Sequence, residues 1–161
     1  DGREIDQVQY VIDQLKANPG GRRILWDGWN VAELDQMALP PCHKHYQFFV
    51  SSDDRLHGAM IQRSADSFLG LAWNVVNLAL VTTLLAEQTG RQPGEAIWYG
   101  LDVHLYLNHL EQADLQLTRT PRPLPQLEIS RPAGDLFGYD MDDFSFPGYD
   151  PHPLIRAAVA V

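Results

Sequence analysis

The sequence has little of three features that mark particular classes of protein. It contains a single cysteine, Cys42, which excludes an intrachain disulfide and favours a reducing compartment. Its Lys and Arg residues number 12 against 21 Asp and Glu, a formal net charge of −9, so it lacks the cationic surplus on which general nucleic-acid binding depends. Its most apolar run, at 78–81, is far shorter than the roughly 18 apolar residues that a membrane span needs.

What remains is the composition of a soluble globular protein. The chain has 161 residues, of which 45% are hydrophobic, and a chain of that size can bury a core without disulfides or metals. The N-terminal residues show no basic-then-apolar leader pattern, which indicates a protein that is not secreted. We therefore expect one domain spanning residues 1–161, located in the cytoplasm, with neither nucleic-acid nor membrane partners.

The apolar pattern alternates between helical and extended spacing. Helical spacing predicts helices at 5–17, 66–88 and 108–118. Apolar residues cover much of the circumference of the second helix, which predicts that it is a core helix. Extended spacing predicts strands at 22–29, 43–51, 56–62, 95–105 and 127–129. Turn residues at 52–54 join two of these strands into a hairpin, and strands mixed irregularly with helices favour an α+β fold.

Cys42 is the first candidate for chemistry. It follows two prolines, which fix the backbone ahead of it, and precedes His43. A thiol becomes reactive when positive charge and partial exposure favour its thiolate, but an inert buried thiol is the more common state for such local sequence. The nearby histidines His45 and His57 complete no compact zinc signature with this pair, so no metal site is expected.

A series of motifs resembles, in order and spacing, those of the thymidylate synthase family. They are Arg22-Arg23-Ile24, the segment 37–43 with Gln47-Phe48, the segment 62–66 with Phe68-Leu69-Gly70, the segment 102–106, and the segment 149–153. The resemblance covers nearly the whole chain through Val161. It implies an α+β fold in which a mixed β-sheet packs with helices, and a homodimer formed through that sheet.

The resemblance also implies an activity, the reductive methylation of dUMP to dTMP with 5,10-methylenetetrahydrofolate as co-substrate. In that family a cysteine thiolate adds to C6 of the uracil ring, after which C5 attacks the folate methylene group, and Cys42 matches this cysteine. Arg63 matches an arginine that contacts both the cysteine and the phosphate. Asn74 matches the amide that bonds O4 and N3 of uracil, and Asp66 matches the carboxylate that orients the pterin.

Further matches imply the remaining dUMP contacts. Arg22 and Arg23 match a pair that each subunit donates to the phosphate in its partner's site, which suits the guanidinium fork. Ser64 matches another phosphate contact. The ribose 3′-hydroxyl would bind residues 104 and 106, whose spacing predicts one face of a strand. These two ribose contacts are His104 and Tyr106. His43 and Gln47 match residues that line or support the pyrimidine pocket, and Gln62 is a further implied dUMP contact.

The implied folate contacts are Asp66, Leu69, Gly70, Trp73 and Val161. In the family the C-terminal residue helps to close the site over the folate, a role that suits a mobile tail. Trp73 stands where the family has phenylalanine and offers an aromatic wall.

Several positions depart from the family pattern. The changed positions near the pocket are Trp26-Asp27-Gly28, Lys44-His45-Tyr46, Ala72-Trp73, Asn77 and Leu101. Leu101 replaces a glycine, and its added side chain is expected to crowd the site.

The family's N-terminal phosphate arginine, proton-relay glutamate and folate tryptophans have no counterpart in the sequence, so little activity is expected of this chain alone. Two alternatives stay open. One is a related hydroxymethylase acting on dUMP or dCMP, in which water rather than hydride quenches the exocyclic intermediate. The other is a non-catalytic dUMP-binding protein.

Overall fold

The structure, a computed structural model, describes residues 4–159. Its helices are α1 (Gln7–Ala17), α2 (Leu71–Gln88) and α3 (Leu110–Leu117). Its strands are β1 (Leu25–Asp27), β2 (His43–Val50), β3 (Arg55–Asp66), β4 (Gln92–His104), β5 (Glu128–Ile129) and β6 (Phe144–Ser145). Short 3-10 helices lie at Val31–Gln36, Leu107–His109 and Met141–Asp143.

The main sheet has the strand order β1-β2-β3-β4. The pairs β1–β2 and β2–β3 are antiparallel, whereas β3–β4 is parallel. A parallel pair needs a long crossover between its strands, and α2 provides it. The predicted hairpin is confirmed as β2–β3, with Asp54 at a φ of 59° in its turn. A mixed sheet packed with helices confirms the α+β prediction.

The hydrophobic core lies on one face of this sheet, under α1 and α2. Its buried side chains are Val11, Ile12, Leu15, Ile24, Tyr46, Phe48, Leu56, Met60, Leu78, Leu85 and Ala86. Gly58 lets α2 approach β3 closely, since a Cβ at this position would lie 2.2 Å from Oγ1 of Thr82. This close contact fixes α2, and every side chain on it, against the sheet.

Helix α2 differs from its prediction in two ways. It begins at Leu71 rather than at residue 66, because Asp66 still belongs to β3. The prediction of a core helix was wrong for its first half, since Trp73 is 75% and Val76 is 48% exposed. Its buried residues are Leu78, Thr82, Leu85 and Ala86, so only one face of the helix packs within the described part of the chain.

Other boundaries shift for local reasons. The strand predicted at 22–29 is shortened to Leu25–Asp27, and the side chain of Asn30 caps the 3-10 helix that follows. The helix predicted at 108–118 begins as the 3-10 turn Leu107–His109. A second small sheet pairs β5 with β6.

Over residues 4–159, none of the helices combines the length and apolar character required to cross a membrane.

Candidate active site

Arg63 secures the segment that leads to Cys42. Its backbone N–H donates to the Cys42 carbonyl at 2.9 Å. Its guanidinium donates from Nε to the Pro41 carbonyl at 3.1 Å and from Nη2 to the Pro40 carbonyl at 2.8 Å. The same group lies 5.5 Å from the centre of the Trp29 ring. One arginine therefore fixes both prolines and places its positive charge beside the segment that carries the half-buried thiol.

Gln62 joins strand β4 to helix α2. Its side chain is 2% exposed, and its Oε1 accepts a hydrogen bond of 2.9 Å from Nε1 of Trp98. Its Nε2 donates to the Ser64 carbonyl at 2.9 Å and to Oδ1 of Asn74 at 2.7 Å. Because every polar atom of this buried amide is engaged, Asn74 is held in one orientation against the sheet.

His43 and Tyr46 form a second polar contact close to Asn74. Its Nδ1 is 3.0 Å from the hydroxyl of Tyr46, which donates in turn to Oδ1 of Asn77 at 3.0 Å. Burial lowers the pKa of His43, and a hydrogen bond with Asn74 offsets this only in part. Burial also raises the pKa of Tyr46 to about 12. At neutral pH the imidazole is therefore neutral and the phenol keeps its proton.

The ends of β3 and β4 meet beside this cluster. Asp66 pairs with His104 across the parallel strands, and Ser64 pairs with Asp102. Nδ1 of His104 lies 3.3 Å from Oδ1 of Asp102. The prediction that His104 and Tyr106 share one face of a strand was wrong, since β4 ends at His104. Their rings nevertheless meet edge to face at 4.9 Å, so the two side chains lie together.

Asp66 shapes the turn that enters α2. Its Oδ1 accepts hydrogen bonds from the backbone N–H groups of Phe68 at 2.9 Å and Leu69 at 3.3 Å. Gly70 completes a tight turn, because a Cβ there would lie 3.3 Å from the Asp66 carbonyl. Leu69 and Trp73 line a cleft of about 520 Å³ whose other wall is formed by residues 119–121 and 151–155. Val161, also predicted for this region, lies outside the described residues.

Arg22 and Arg23 are not brought to the thiol. Both are exposed and lie in a hollow beside the C-terminal end of α1. The register of β1 on β2 pairs Leu25 with Gln47 and Asp27 with His45. The two arginines therefore lie beyond one end of β1, and Cys42 lies beyond the other.

His109 was missed by sequence reasoning. It is fully buried, and its Nε2 lies 2.7 Å from the carbonyl of Ala158. Its ring also contacts Phe68 and Tyr106, at 5.5 and 6.0 Å between ring centres. A histidine in a helical pattern gives no sign of such a role, since only the fold brings the C-terminal tail to it. His109 thus anchors the tail beside the cleft.

Three residues of β1 and β2 that depart from the family pattern contact each other. Oδ2 of Asp27 lies 3.0 Å from Nζ of Lys44 and 3.4 Å from Nδ1 of His45. Burial acts to raise the pKa of Asp27, but hydrogen bonds from the Trp29 N–H, Lys44 and His45 together lower it. Leu101 is 71% exposed, and the crowding of the site expected from its side chain stays a prediction.

The histidines considered for zinc have other partners. His57 accepts a hydrogen bond of 3.0 Å at Nδ1 from the backbone N–H of Glu95. Over the part of the chain that the structure describes, no group of three or more His, Cys, Asp and Glu side chains is placed to hold a metal ion.

The whole chain, residues 1–161, matches the family model described as thymidylate synthase. The chain belongs to the thymidylate synthase family. A thymidylate synthase from Zymomonas mobilis subsp. mobilis is 51% identical over 161 residues, which are 100% of this chain and 54% of that protein. The chain therefore spans about half the length of this curated relative. The family predicted from the motifs is confirmed.

The hydrogen bonds from Arg63 to the carbonyls of Pro40 and Pro41 clamp the diproline segment of this thymidylate synthase family member. The variant Arg63→Lys tests this clamp. Lysine keeps the charge but loses the fork that reaches two carbonyls at once. We expect the backbone amides that flank the two prolines, those of residues 37–39 and of Cys42, to exchange with deuterium roughly tenfold faster in this variant, the loss of about one charge-assisted hydrogen bond. Exchange followed by mass spectrometry measures it. Arg55→Lys, an exposed change on the same strand, is the matched control, and equal protection in both variants would contradict the clamp.

Proposed function

We propose that this chain is the dUMP-binding, nucleophile-bearing part of a thymidylate synthase, which converts dUMP to dTMP with 5,10-methylenetetrahydrofolate. The observation that carries the proposal is that three residues of β3 contact the segments on which the other candidate site residues lie. Gln62 orients Asn74, Arg63 fixes the approach to Cys42, and Asp66 begins the turn into α2. One strand thus gathers a nucleophile, an amide for the base and a cation for the phosphate.

The uracil ring would be read by Asn74. Its Oδ1 accepts from Gln62 and has a second lone pair for the N3–H of uracil. Its Nδ2 then donates to O4. Cytosine presents an acceptor at N3 and a donor at C4, so the same amide orientation disfavours it.

The covalent step would use Cys42. Its sulfur forms a bond to C6 as the C5–C6 π electrons move toward C5 and O4, and the thiol proton is released to solvent before the attack. The positively charged guanidinium of Arg63 lies beside the segment that carries this thiol. The fork also suits the phosphate of dUMP, because guanidinium donors match phosphate oxygens in pairs.

The folate would lie in the cleft beside α2. Trp73 presents an aromatic face there, Leu69 adds apolar contact, and the tail that His109 anchors forms the opposite side. The first half of α2 remains exposed next to this cleft. Since the chain spans about half of its relative, the folate-dependent steps should be assayed with the longest chain that the gene encodes.

We also propose a homodimer formed through the open face of the main sheet. Phe48 and Trp98 point into the core, so their neighbours Phe49 and Tyr99 point to the opposite face, where they are 42% and 56% exposed. Tyr99 pairs with Ile61 in the same layer. A contiguous apolar sheet face favours association. Arg22 and Arg23, which lie away from Cys42 in one chain, would then reach the partner's site.

The covalent step is tested by incubation with 5-fluoro-dUMP and 5,10-methylenetetrahydrofolate. Fluorine takes the place of the C5 hydrogen and cannot leave as a cation as a proton does, so the ternary complex should persist. We expect intact mass spectrometry to show an increase equal to both ligands, located on the Cys42 peptide and missing in Cys42→Ser. If dUMP binds but no adduct forms at saturating ligand, the chain is a binding protein only. Product analysis separates the hydroxymethylase, which would yield a hydroxymethyl nucleotide rather than dTMP with dihydrofolate.

The dimer is tested with Tyr99→Asp, which places a charge in the apolar face. We expect sedimentation to give a dimer for the wild type and a monomer for this variant, whereas Leu117→Asp on α3 remains dimeric.

Donation of the arginines is tested by mixing Cys42→Ser subunits with Arg22→Ala/Arg23→Ala subunits. One complete site per heterodimer predicts that adduct formation returns on mixing. No recovery, with heterodimers present, would contradict donation.

A further inference from the structure

The turn that follows β1, at residues 27–29, lies against the segment that carries the candidate nucleophile. Three departures from the family pattern, Asp27, Lys44 and His45, meet at this turn. We infer that Asp27 is a positioning residue, whose carboxylate holds the turn so that the Trp29 ring lies against the Arg63 guanidinium and sets its orientation. The placement of Trp29 and Arg63 is independent of the proposed function, whereas its effect on dUMP binding rests on that function.

The backbone of Asp27 is held from both sides of its strand. The side-chain amide of Gln7 on α1 donates to the Asp27 carbonyl at 3.1 Å and accepts from the Asp27 N–H at 2.9 Å. The N–H of Gly28 donates to the Lys44 carbonyl at 2.8 Å. The end of β1 is therefore fixed by α1 on one side and by β2 on the other, and the direction of the chain beyond it depends on the turn.

The two carboxylate oxygens of Asp27 have different partners. Oδ1 accepts a hydrogen bond of 2.8 Å from the backbone N–H of Trp29, which is an Asx turn. Oδ2 lies 3.0 Å from Nζ of Lys44 and 3.4 Å from Nδ1 of His45. Ion pairs as exposed as these add little to stability. Because they hold Oδ2, however, they keep Oδ1 directed at the Trp29 N–H.

The turn packs closely on the segment around Cys42. A Cβ at Gly28 would lie 3.1 Å from the His43 carbonyl and 3.6 Å from the side chain of Pro41. Cys42 lies between these two residues in the chain. A displacement of the turn would therefore reach both neighbours of the candidate nucleophile.

Trp29 connects the turn to Arg63. The centre of its ring lies 5.5 Å from the guanidinium carbon, within the range at which an aromatic face attracts a cation. The same guanidinium donates through Nε and Nη2 to the carbonyls of Pro41 and Pro40. A planar group that is held at one edge by two carbonyls and lies against an indole ring has a single orientation, so its other N–H groups point in fixed directions.

This orientation matters for an anionic ligand. A guanidinium has five N–H donors, and the two proline carbonyls take two of those on Arg63. The others can donate to phosphate oxygens. Guanidinium binds phosphate best through two parallel hydrogen bonds, which cost less to form when the plane of the group is already set. Asp27 thus acts on phosphate binding through Trp29 and Arg63, without touching the nucleotide.

The contact is tested by NMR of the Arg63 Nε–H, whose signal is assigned by its loss in Arg63→Lys. We expect nuclear Overhauser effects between this proton and the Trp29 ring. Asp27→Ala removes the acceptor of the Trp29 N–H, so these effects should weaken and the Nε–H should exchange about threefold to tenfold faster, the effect of one hydrogen bond. Asp13→Ala, which removes an exposed carboxylate from α1, should change nothing. An Arg63 signal that Asp27→Ala leaves unaltered would overturn the inference.

Two further variants separate a path through Trp29 from a general loss of structure. Asp27→Asn keeps an oxygen that accepts from the Trp29 N–H but loses the charge, so it should keep the Arg63 signal of the wild type. Trp29→Leu removes the ring, and Asp27→Ala added to it should speed the exchange no further. Additive effects in the double variant, or an Asp27→Asn protein that behaves like Asp27→Ala, would refute the path from the turn to Arg63.

Binding separates this inference from the proposed function. The affinities for dUMP and deoxyuridine are compared in an Arg22→Ala/Arg23→Ala background, which removes the phosphate contacts that a partner subunit would supply. We expect Asp27→Ala to weaken dUMP binding about threefold to tenfold and to leave deoxyuridine binding unchanged, because only dUMP carries the phosphate. Equal effects on the two ligands would refute the link to phosphate. A protein that shows the Trp29–Arg63 contact but binds neither ligand, even with Arg22 and Arg23 intact, would refute the proposed function alone.

Discussion

The hydrogen bond from Gln62 to Asn74 is the contact on which the geometry of the site depends. It is made by a side chain that is almost fully buried, where an unpaired amide would cost about 1–3 kcal/mol. Trp98 and the Ser64 carbonyl fix one end of it, and the first turn of α2 provides the other. The packing of Gly58 against Thr82 sets the distance between strand and helix that lets this bond form.

Strand β3 organises the rest of the site around that bond. The next residue along, Arg63, reaches back to the diproline segment and sets the position of Cys42. Asp66 then closes the turn that starts α2 and brings Leu69 and Trp73 to the cleft. The polar site thus lies where the sheet and helix meet, and the apolar layer on the other side of the sheet is free for a second subunit in the proposed dimer.

The sequence pattern predicted those elements whose boundaries are set by interactions between residues close together in the sequence. The β2–β3 hairpin follows from alternation and turn residues, and the end of α2 at Gln88 follows from the nearby Gly90. The start of α2 was missed because the Asp66 side chain, not apolar spacing, decides where the strand gives way to the helix. The exposure of the first half of α2 could not be predicted either, because apolar residues around a helix do not indicate which of them pack against the sheet.

Several contacts around the site join residues that are far apart in the sequence. Tyr46 and Asn77 meet across 31 residues of sequence, and the register of β2 on β3 shifts between His43 and His45; the residue pattern predicts neither feature. His109 meets Ala158 across 49 residues. Motif resemblance found Cys42, Gln62, Arg63 and Asn74, whereas the contacts through which Gln62 and Arg63 orient the other two emerged only from the structure.

The central claim is that this packing presents a uracil-reading amide beside the Cys42 segment. Its most direct test is an NMR titration that follows the side-chain amides of Gln62 and Asn74 and the indole of Trp98 as nucleotide is added. Our account predicts large, saturable shifts of all three with dUMP and much smaller shifts with dCMP at equal concentration. Saturating dUMP that leaves the Asn74 amide unmoved, or dCMP that shifts it equally, would contradict the account.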